Sequence, residues 1–372
     1  MELTRNFQIR VAEAKDQGAL LELLRRCPIA GSMELILDRS PDFFGLSRLQ
    51  GEHSTVYLAE DQAGRLLGSV MFTERPEIWG DRSYKVLRLS DLRTDPRYRQ
   101  SGVAAAFVET YQNLLLSGVY DYGRSEILEG NEVPFRVHQV AREVLAFENR
   151  GRAEIYQLLP LWTFRLPSDL KLRLATPEDL PALSQLLETS YRQRAGRPDF
   201  HLAALEAALA RDPSFSIETF WLAVDREDRI LACVAAWDQH ALRQTIVFRF
   251  AKSARWLMRA LHLARLLWRL PPVPVEGQAI RYLYLRWATC LPGQERALGA
   301  LIRSIMNDAR RLGNYHFVGI AFHEGDSLHS CLDGIIKVKS RMHIILHWAR
   351  STAGSASSPE RTPLTFVDPV LL

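Results

Sequence analysis

One short stretch of the chain places a charged residue and small residues together at the beginning of an expected helix. Arg99 is followed by Gly102 and Ala104, after Asp95-Pro96 has ended a strand-like alternation. The first turn of a helix has backbone N–H groups without partners and carries a partial positive charge. Small side chains allow a phosphate group to approach these amides, and Arg99 adds a formal charge. The stretch is therefore suited to binding a phosphate or pyrophosphate, unless the small residues only let the helix pack closely on a sheet.

The elements that would position this stretch occur twice in the chain. Residues 9–24 match residues 172–187 at an offset of 172 − 9 = 163, and residues 55–70 match residues 219–234 at an offset of 219 − 55 = 164. In each copy the first segment predicts a strand and an amphipathic helix, and the second predicts a hairpin around a polar turn. Two matches in the same order at nearly the same offset favour duplication of one β-α-β-β unit over coincidence.

The sequence from Leu92 to Ala104, LRTDPRYRQSGVA, resembles motif A of the GNAT superfamily of N-acetyltransferases. In that motif a strand that ends in Val/Thr-x-Pro-x-Tyr/Phe is followed by Arg/Gln-x-x-Gly-x-Gly/Ala. The resemblance covers about residues 6–166 in full and about residues 171–348 more loosely. Because it includes both flanks of the loop and follows the expected β-α-β-β order, it favours the phosphate-binding interpretation.

The resemblance implies a site for acetyl-CoA or another acyl-CoA as cosubstrate, with no metal. Main-chain groups of Leu92 and Thr94 would bind the pantetheine arm, and the amides of residues 100–105 would bind the pyrophosphate. The residues that the resemblance assigns to the cofactor are Leu92, Thr94, Arg99, Gln100, Ser101, Gly102, Val103, Ala104, Ala105 and Asn131.

A weaker match follows the next expected strand. Residues 131–138 lie where many GNAT proteins have Asn-x-x-Ala-x-x-x-Tyr. Pro134 replaces the small helical residue, and His138 replaces the tyrosine that often protonates the departing thiolate. His138 can still donate a proton, because the ordinary pKa of a histidine is about 6.5. Equally, a single histidine on an amphipathic helix can be structural.

A general base would have to remove a proton from the acceptor ammonium, and three carboxylates are candidates. Asp91 lies on the strand before the loop, and Glu126 and Glu129 lie on the following strand. Strand side chains alternate between two faces, and the sequence does not decide which of them face the substrate cleft. Asp91 is the first choice because it precedes the pantetheine-binding stretch, although each carboxylate could be solvated or ion-paired and a water chain could serve instead. The expected catalytic residues are His138, Asp91 and Glu126.

The second copy of the loop is altered. Only Gln294-x-x-Ala297-x-Gly299 remains of the motif, and Glu295 places a negative charge near the expected phosphates. This copy is expected to bind coenzyme A poorly or not at all, and to wall the substrate cleft.

The expected fold class is α/β, of the α+β kind, with two GNAT-like domains that each have a mixed, mainly antiparallel central sheet flanked by helices. Residues 1–167 and 168–350 form these domains, and we call them the first half and the second half. At the loop the offset becomes 294 − 99 = 195, so the second half has gained 195 − 164 = 31 residues, near residues 240–275. Residues 351–372 form a tail that begins with linker composition and has an apolar end, residues 364–372, that could dock on a neighbouring surface.

The gained segment contains an expected helix with two kinds of surface. Residues 251–270 carry basic side chains at steps of three or four with no acidic residue, and the rest of the helix surface is broadly apolar. The apolar side could cover the substrate cleft or the interface between the halves. Alternatively, the helix could lie on an anionic membrane surface or form a lid over an acyl chain. The basic stripe argues against a membrane-spanning helix.

Composition limits the class of protein. With 372 residues, 47% of them hydrophobic and 24% charged, two globular domains are expected. The net charge of +4, without a long basic run that includes aromatic residues, argues against nucleic-acid binding. The four scattered cysteines have no metal-ligand spacing, so no metal or redox site is expected. Because the sequence shows no secretory signal and no long apolar run, a cytoplasmic location is expected.

Together these observations predict an acyl-CoA-dependent N-acyltransferase, in the simplest case an N-acetyltransferase, that transfers the acyl group directly from the thioester to an amine. The acceptor would be an amine-bearing small molecule, a peptide or a protein. Two alternatives stay open. One is a non-catalytic acyl-CoA sensor or scaffold, and the other is aminoacyl transfer from charged tRNA, as in some tandem GNAT-like proteins. The sequence decides neither the acyl length nor the oligomeric state.

Overall fold

The computed structural model describes residues 6–31, 33–131, 144–267, 271–350 and 364–370. Its strands are β1 Phe7–Val11, β2 Met33–Asp38, β3 His53–Asp61, β4 Leu66–Trp79, β5 Arg82–Thr94, β6 Tyr122–Leu128, β7 Leu145–Leu158, β8 Lys171–Leu174, β9 Phe220–Val224, β10 Ile230–Trp237, β11 Gln244–Phe250, β12 Ala279–Ile280, β13 Tyr282–Cys290, β14 Phe317–His323 and β15 Lys337–Ala349. Its helices are α1 Gln17–Arg26, α2 Ser47–Gln50, α3 Val103–Leu116, α4 Leu180–Tyr191, α5 Leu202–Ala210, α6 Lys252–Leu267 and α7 Glu295–Leu312.

One sheet of twelve strands runs through both halves, in the order β1-β3-β4-β5-β6-β15-β7-β14-β13-β10-β9-β8. The pairs β5/β6 and β13/β14 are parallel, and the other neighbours in this sheet are antiparallel. Each half therefore contributes a mainly antiparallel sheet with one parallel pair, and the predicted fold class is confirmed.

The last strand of each half crosses to the other half. β15 pairs with β6 from Met342↔Leu128 to His347↔Gly123. β7 pairs with β14 on one edge and with β15 on the other. The predicted domain boundary at residue 167 lies between β7 and β8, but four ladders of hydrogen bonds join the two sides, three in this sheet and one between β2 and β11. The boundary of an independently folding unit thus stays a prediction.

The same local contacts recur in both halves at the matched sequence positions. The Arg10 guanidinium binds both carboxylate oxygens of Asp16, at 2.7 and 2.8 Å, just before α1. Arg173 binds Asp179 in the same way, at 2.6 and 2.7 Å, before α4. These paired contacts explain why the arginine and aspartate recur in the sequence, since each pair fixes a strand to the turn that begins the following helix.

Helices α1 and α3 lie on opposite faces of the first half of the sheet. Val56 and Leu58 of β3 pack with α1, whereas Ala59, the next residue along the strand, packs with α3. Because strand side chains alternate between faces, this arrangement defines an α1 face and an α3 face. The buried ring of Phe107 anchors α3 in its core.

Between β10 and β13 the second half has β11, α6 and β12, where the first half has only the turn between β4 and β5. β11 pairs with β12 and with β2 of the first half, so these strands form a second, three-stranded sheet. Ala254 and Met258 of α6 pack against the core next to β11. Among the residues that the structure describes, no helix has the length and hydropathy needed to span a bilayer.

The C-terminal segment, residues 364–370, is docked against both halves. Phe366 is buried in the core around α4, and its N–H donates to the Ala195 carbonyl at 2.8 Å. Its own carbonyl accepts a hydrogen bond from Arg124 at 3.0 Å. Asp368 binds Arg286 of β13 in a buried ion pair of 2.6 Å. The segment therefore connects β6 of the first half to β13 of the second.

Candidate functional site

The loop between β5 and α3 begins with a turn that the Asp95 side chain holds in place. The Asp95 carboxylate is buried, accepts a hydrogen bond from the Arg97 N–H at 3.0 Å and forms an ion pair with Arg26 of α1 at 3.2 Å. After this turn, Gln100 and Gly102 adopt positive φ angles of 79° and 83°. The chain then enters α3 directly.

Gly102 is required by the backbone and not by packing. A Cβ atom added there would meet no atom within 4 Å, but the positive φ disfavours other residues. Close packing of α3 on the sheet depends instead on Gly68, where a Cβ atom would lie 2.6 Å from the Arg93 carbonyl oxygen and 2.9 Å from the Val103 side chain. The interpretation that Gly102 serves helix packing is therefore wrong, and no residue in the described part of the chain occupies the space next to it.

The first turn of α3 presents amides to that free space. The N–H of Ala106 donates to the Gly102 carbonyl at 3.0 Å, which is the first bond of the helix. The amides of residues 102–105 consequently have no helical carbonyl to donate to. Arg99 and Ser101 are exposed beside them, and Ala104 is half-buried. Four amides at the positive end of a helix dipole, with an arginine next to them, can bind a phosphate group.

The strand before the loop separates from its neighbour. Parallel pairing of β5 with β6 ends at Arg88↔Arg124. Beyond this point the pairing of β4 with β5 shifts register, and Asp91 takes a positive φ of 50°. Within the described residues, the edge of β5 from residue 89 to residue 94 that faces away from β4 thus has no strand beside it, which leaves the main chain of Leu92 available to an extended ligand. The Thr94 carbonyl accepts a hydrogen bond from the Cys27 thiol at 3.5 Å.

Asp91 forms ion pairs with arginine side chains on the α1 side of the site. It binds Arg39, whose side chain is 3% exposed, and lies 3.5 Å from the Arg93 guanidinium. Burial acts to raise the pKa of Asp91, but Arg39, Arg93 and Arg243 together lower it below its ordinary value. Asp91 is therefore ionised at neutral pH and is a weak proton acceptor.

Glu126 lies with Arg88 and Arg124 on the face of the sheet opposite α3. Gly123 faces α3, because a Cβ atom there would lie 2.0 Å from the Tyr111 hydroxyl, so Arg124 and Glu126 point the other way. Glu126 is 6% exposed and binds Arg88 at 2.7 Å and Arg124 at 2.8 Å. Glu126 therefore faces away from α3, an orientation that could not be predicted from the sequence.

Glu126 belongs to a group of charged side chains at the point where β5 and β6 separate, which we call the apex cluster. Apart from Glu126, its members could not be found from the sequence, because they come from four strands and the C-terminal segment. They are Arg75, Glu77, Arg88, Arg124, Glu126, Arg286 and Asp368.

The remaining predicted residues lie after β6. Asn131 is exposed, and its N–H donates to the Leu128 carbonyl at 3.0 Å. Glu129 lies 3.4 Å from Arg152 and 3.7 Å from Arg341. His138 lies outside the described residues, so its role stays a prediction.

In the second half, the corresponding space beside α7 is partly occupied by the chain itself. The short helical turn of residues 327–332 packs on α7 with Leu328 and Cys331 buried. The Cys331 thiol donates to the Glu295 carbonyl at 3.2 Å, and the Cys331 carbonyl accepts from Arg303. A cavity of about 550 Å³ lies beside the first turns of α7, lined by Arg165, Leu166, Pro167, Glu295, Arg296, Gly299, Ala300, Arg303, Ser330 and Cys331. The first turn of α7 thus differs from that of α3 in the carboxylate of Glu295 and in its contact with Cys331, and not in a lack of space beside it.

Comparison with solved structures identifies the fold. A GCN5-related N-acetyltransferase from Sphaerobacter thermophilus superposes with a TM-score of 0.56 at 11% identity, covering 92% of this chain and 96% of that chain. The chain has the GNAT fold. The GNAT fold of this chain also matches the N-myristoyltransferase of Saccharomyces cerevisiae with bound myristoyl-CoA, with a TM-score of 0.60 at 9% identity over 94% of this chain and 80% of that one.

A tandem GNAT protein from the clavulanic acid biosynthesis pathway is similar in structure over most of the chain. It superposes with a TM-score of 0.57 at 12% identity, and the match covers 91% of this chain and 98% of that one. No protein-family model matches the sequence, and a search of curated proteins gave no match. At these identities the likeness defines the GNAT fold, and the predicted resemblance to that superfamily is confirmed at this level.

Proposed function

We propose that the protein is an acyl-CoA-dependent N-acyltransferase that transfers an acyl group directly from the thioester to an amine. The observation that carries this proposal is the open first turn of α3, with Gly102 at positive φ, directly after a strand whose edge is unpaired. In this proposal the amides of residues 102–105 and Arg99 bind the pyrophosphate. The main chain of Leu92 binds the pantetheine arm along the free edge of β5.

The two faces of the sheet would then have different tasks. The cofactor would reach the gap between β5 and β6 from the α3 side, where the loop is exposed. The acceptor amine would approach from the opposite face, where Glu126 and Asp91 lie. Direct attack of an amine on a thioester requires orientation and loss of a proton, without a covalent enzyme intermediate.

Asp91 and Glu126 remain the candidate bases, and His138 remains the candidate acid. Both carboxylates are held by arginines, so either can bind an acceptor ammonium before it loses its proton. The lowered pKa makes Asp91 a weak proton acceptor, and we therefore favour a water molecule held by Glu126 as the group that removes the proton.

Turnover distinguishes this function from that of a sensor or scaffold. The experiment is release of free thiol from acetyl-CoA and from longer acyl-CoA compounds in the presence of a panel of amines, with acylated products identified by mass spectrometry. Amine-dependent thiol release supports the proposal. Tight binding of acyl-CoA without transfer to any amine would instead favour a sensor, and transfer only from charged tRNA would favour an aminoacyl transferase.

A further inference from the structure

The apex cluster has one more arginine than it has carboxylates. Arg88 and Arg124 each bind both Glu77 and Glu126, with N···O distances between 2.7 and 3.3 Å. The fourth arginine, Arg75 of β4, has neither an ion-pair partner within 4.0 Å nor a hydrogen bond among the described residues.

Asp368 pairs with Arg286 and does not bind Arg75 either. Burial lowers the pKa of Arg75 to about 10, and the nearby charges of Arg88 and Arg286 act in the same direction. Asp368 and Glu77 lie near enough to act on Arg75 through space but do not bind it. A partly buried guanidinium in this position is stabilised by an additional anion.

Arg75 lines a narrow crevice that offers charges of both signs but, with residues 364–370 docked, has no room for a water molecule. The crevice is bounded by Arg75, Arg88, Arg124, Glu126, Gly196, Phe366 and Asp368. A molecule with a carboxylate and an ammonium group would match this arrangement, since the carboxylate can pair with Arg75 and the ammonium with Glu126. An amine without an anionic group would leave Arg75 unpaired.

We propose that the acceptor is an amine that carries a carboxylate, and that Arg75 selects for this carboxylate. This inference rests on the proposed acyl transfer. Phe366 and Asp368 form one wall of the crevice, so the acceptor binds with an outward shift of the docked C-terminal segment. Arg75 is in this role a specificity-determining residue on the acceptor side of the sheet.

The test compares acceptors that differ only in the carboxylate. Thiol release from acetyl-CoA is measured with the common amino acids and with their decarboxylated amines, for example phenylalanine and phenethylamine, and binding is followed in parallel by thermal shift. The variants are Arg75→Gln, Arg75→Lys and, as control, Arg82→Gln, an exposed arginine on the same hairpin. We expect a preference for carboxylate-bearing acceptors that Arg75→Gln reduces about 10- to 100-fold through KM, with partial retention in Arg75→Lys.

Three outcomes would overturn the inference. They are a preference for the decarboxylated amines, a preference for carboxylates that Arg75→Gln does not change, and no response to any carboxylate in either measurement. Transfer to neutral amines alone would reject this inference but leave the proposed acyl transfer in place. Absence of transfer to every amine, with acetyl-CoA still bound, would reject the proposed function.

Two large apolar side chains on α6 are exposed, and they support a second, independent inference. Trp256 is 73% exposed and Leu263 is 66% exposed. They share one side of the helix with Lys252 and Arg259, because these four residues lie within about 60° of one another at 100° per residue. These two side chains therefore cover neither the substrate cleft nor the interface between the halves.

The positive charge of this face of α6 indicates which kind of partner it binds. α6 contains no acidic residue, and Arg259 lies 5.4 Å from the Trp256 ring. A tryptophan and a leucine among lysine and arginine suit the headgroup region of an anionic membrane, where the rings and aliphatic chains are buried and the cations meet phosphate. We propose that α6 attaches the protein peripherally to anionic lipid surfaces.

Cosedimentation with vesicles tests this second proposal. Vesicles of phosphatidylcholine alone are compared with vesicles that also contain phosphatidylserine, at low and high salt. We expect salt-sensitive binding to the anionic vesicles only, reduced at least 10-fold in Trp256→Ser/Leu263→Ser. The matched control is Trp162→Ser/Leu312→Ser, since these residues are also exposed but lie elsewhere.

Equal binding to both kinds of vesicle, no binding by the unchanged protein, or the same loss in the control would overturn the membrane proposal. So would a dimer in sedimentation that Trp256→Ser/Leu263→Ser abolishes, because this face would then bind a second copy of the chain.

Discussion

Gly102 and Gly293 both have positive φ angles, of 83° and 77°, at the start of two corresponding helices. A Cβ atom at either position would meet no described residue within 4 Å. The first precedes amides with an exposed arginine beside them, whereas the second precedes Glu295, whose carbonyl accepts a hydrogen bond from the Cys331 thiol. The loop around Gly102 could be predicted from the sequence because its features are local: a strand end, small residues and a helix start.

The partners of Asp91 and Glu126 could not be predicted in the same way. Asp91 is affected by Arg39 and Arg243, which lie 52 and 152 residues away in the sequence (91 − 39 and 243 − 91). Residue type alone shows that a carboxylate could be a base, but its pKa depends on charges that only the folded chain brings close. The ion pairing that the sequence analysis left as an alternative is present for both carboxylates.

We expect Asp91→Asn to lower the free energy of unfolding by about 3–5 kcal/mol, because it leaves the Arg39 guanidinium buried without its counter-ion. Urea unfolding at pH 7 measures the change. The matched control is Asp228→Asn, at another aspartate with positive φ whose ion pair with Lys171 is exposed, where about 0.5 kcal/mol or less is expected. Similar small losses at both positions would show that the Arg39–Asp91 pair adds little to stability.

At the level of elements, the helices and hairpins follow their local patterns. The amphipathic spacing predicted α1 and α4, and the polar turns predicted the β3–β4 and β9–β10 hairpins at the matched positions. The crossing of β7 and β15 was not predicted, because pairing between strands far apart in sequence leaves no periodic signal in either strand. The β2–β11 pairing was missed for the same reason.

His316, just before β14, makes one element sensitive to pH. Its Nδ1 accepts a hydrogen bond from the Arg281 N–H at 3.0 Å. Burial lowers the pKa of His316 to about 4, with Arg265 and Arg281 acting in the same direction. Between pH 6.5 and 4 the unfolded chain therefore binds a proton at this histidine that the folded chain does not, so stability falls as the pH falls through this range.

We expect His316→Asn, which can keep the acceptor, to reduce this loss by about 1–2 kcal/mol after allowance for the partial exposure of the ring. Thermal unfolding of both proteins at several values between pH 7 and pH 4 is the measurement. If the two stability curves stay parallel over this range, His316 does not keep the lowered pKa.

At the scale of the whole molecule, the continuous sheet predicts that both halves unfold together. β15 lies between β6 and β7, and β7 pairs with β14 on its other edge. Unfolding of one half would therefore expose strand edges of the other half. We expect hydrogen exchange to give one opening free energy for peptides from β4 and β10. Ile344→Ala in β15, a fully buried position, should lower both values equally by about 2–4 kcal/mol. Two different values, of which only one changes, would mean that the halves are independent units.

The proposed acyl transfer requires that the first half binds acyl-CoA at the start of α3. Calorimetry with acetyl-CoA tests this claim with Gly102→Glu and Gly293→Glu. Both changes impose the same strain at positive φ, but only the first adds bulk and negative charge at the proposed pyrophosphate site. Gly293→Glu is a better control than a change at Ala297, which is buried and would disturb the core.

We predict that Gly293→Glu binds acetyl-CoA as the unchanged protein does, and that Gly102→Glu binds it at least 100-fold more weakly while keeping the same unfolding temperature as Gly293→Glu. Retained affinity in Gly102→Glu, together with loss of binding in Gly293→Glu, would contradict the account and assign the site to the second half.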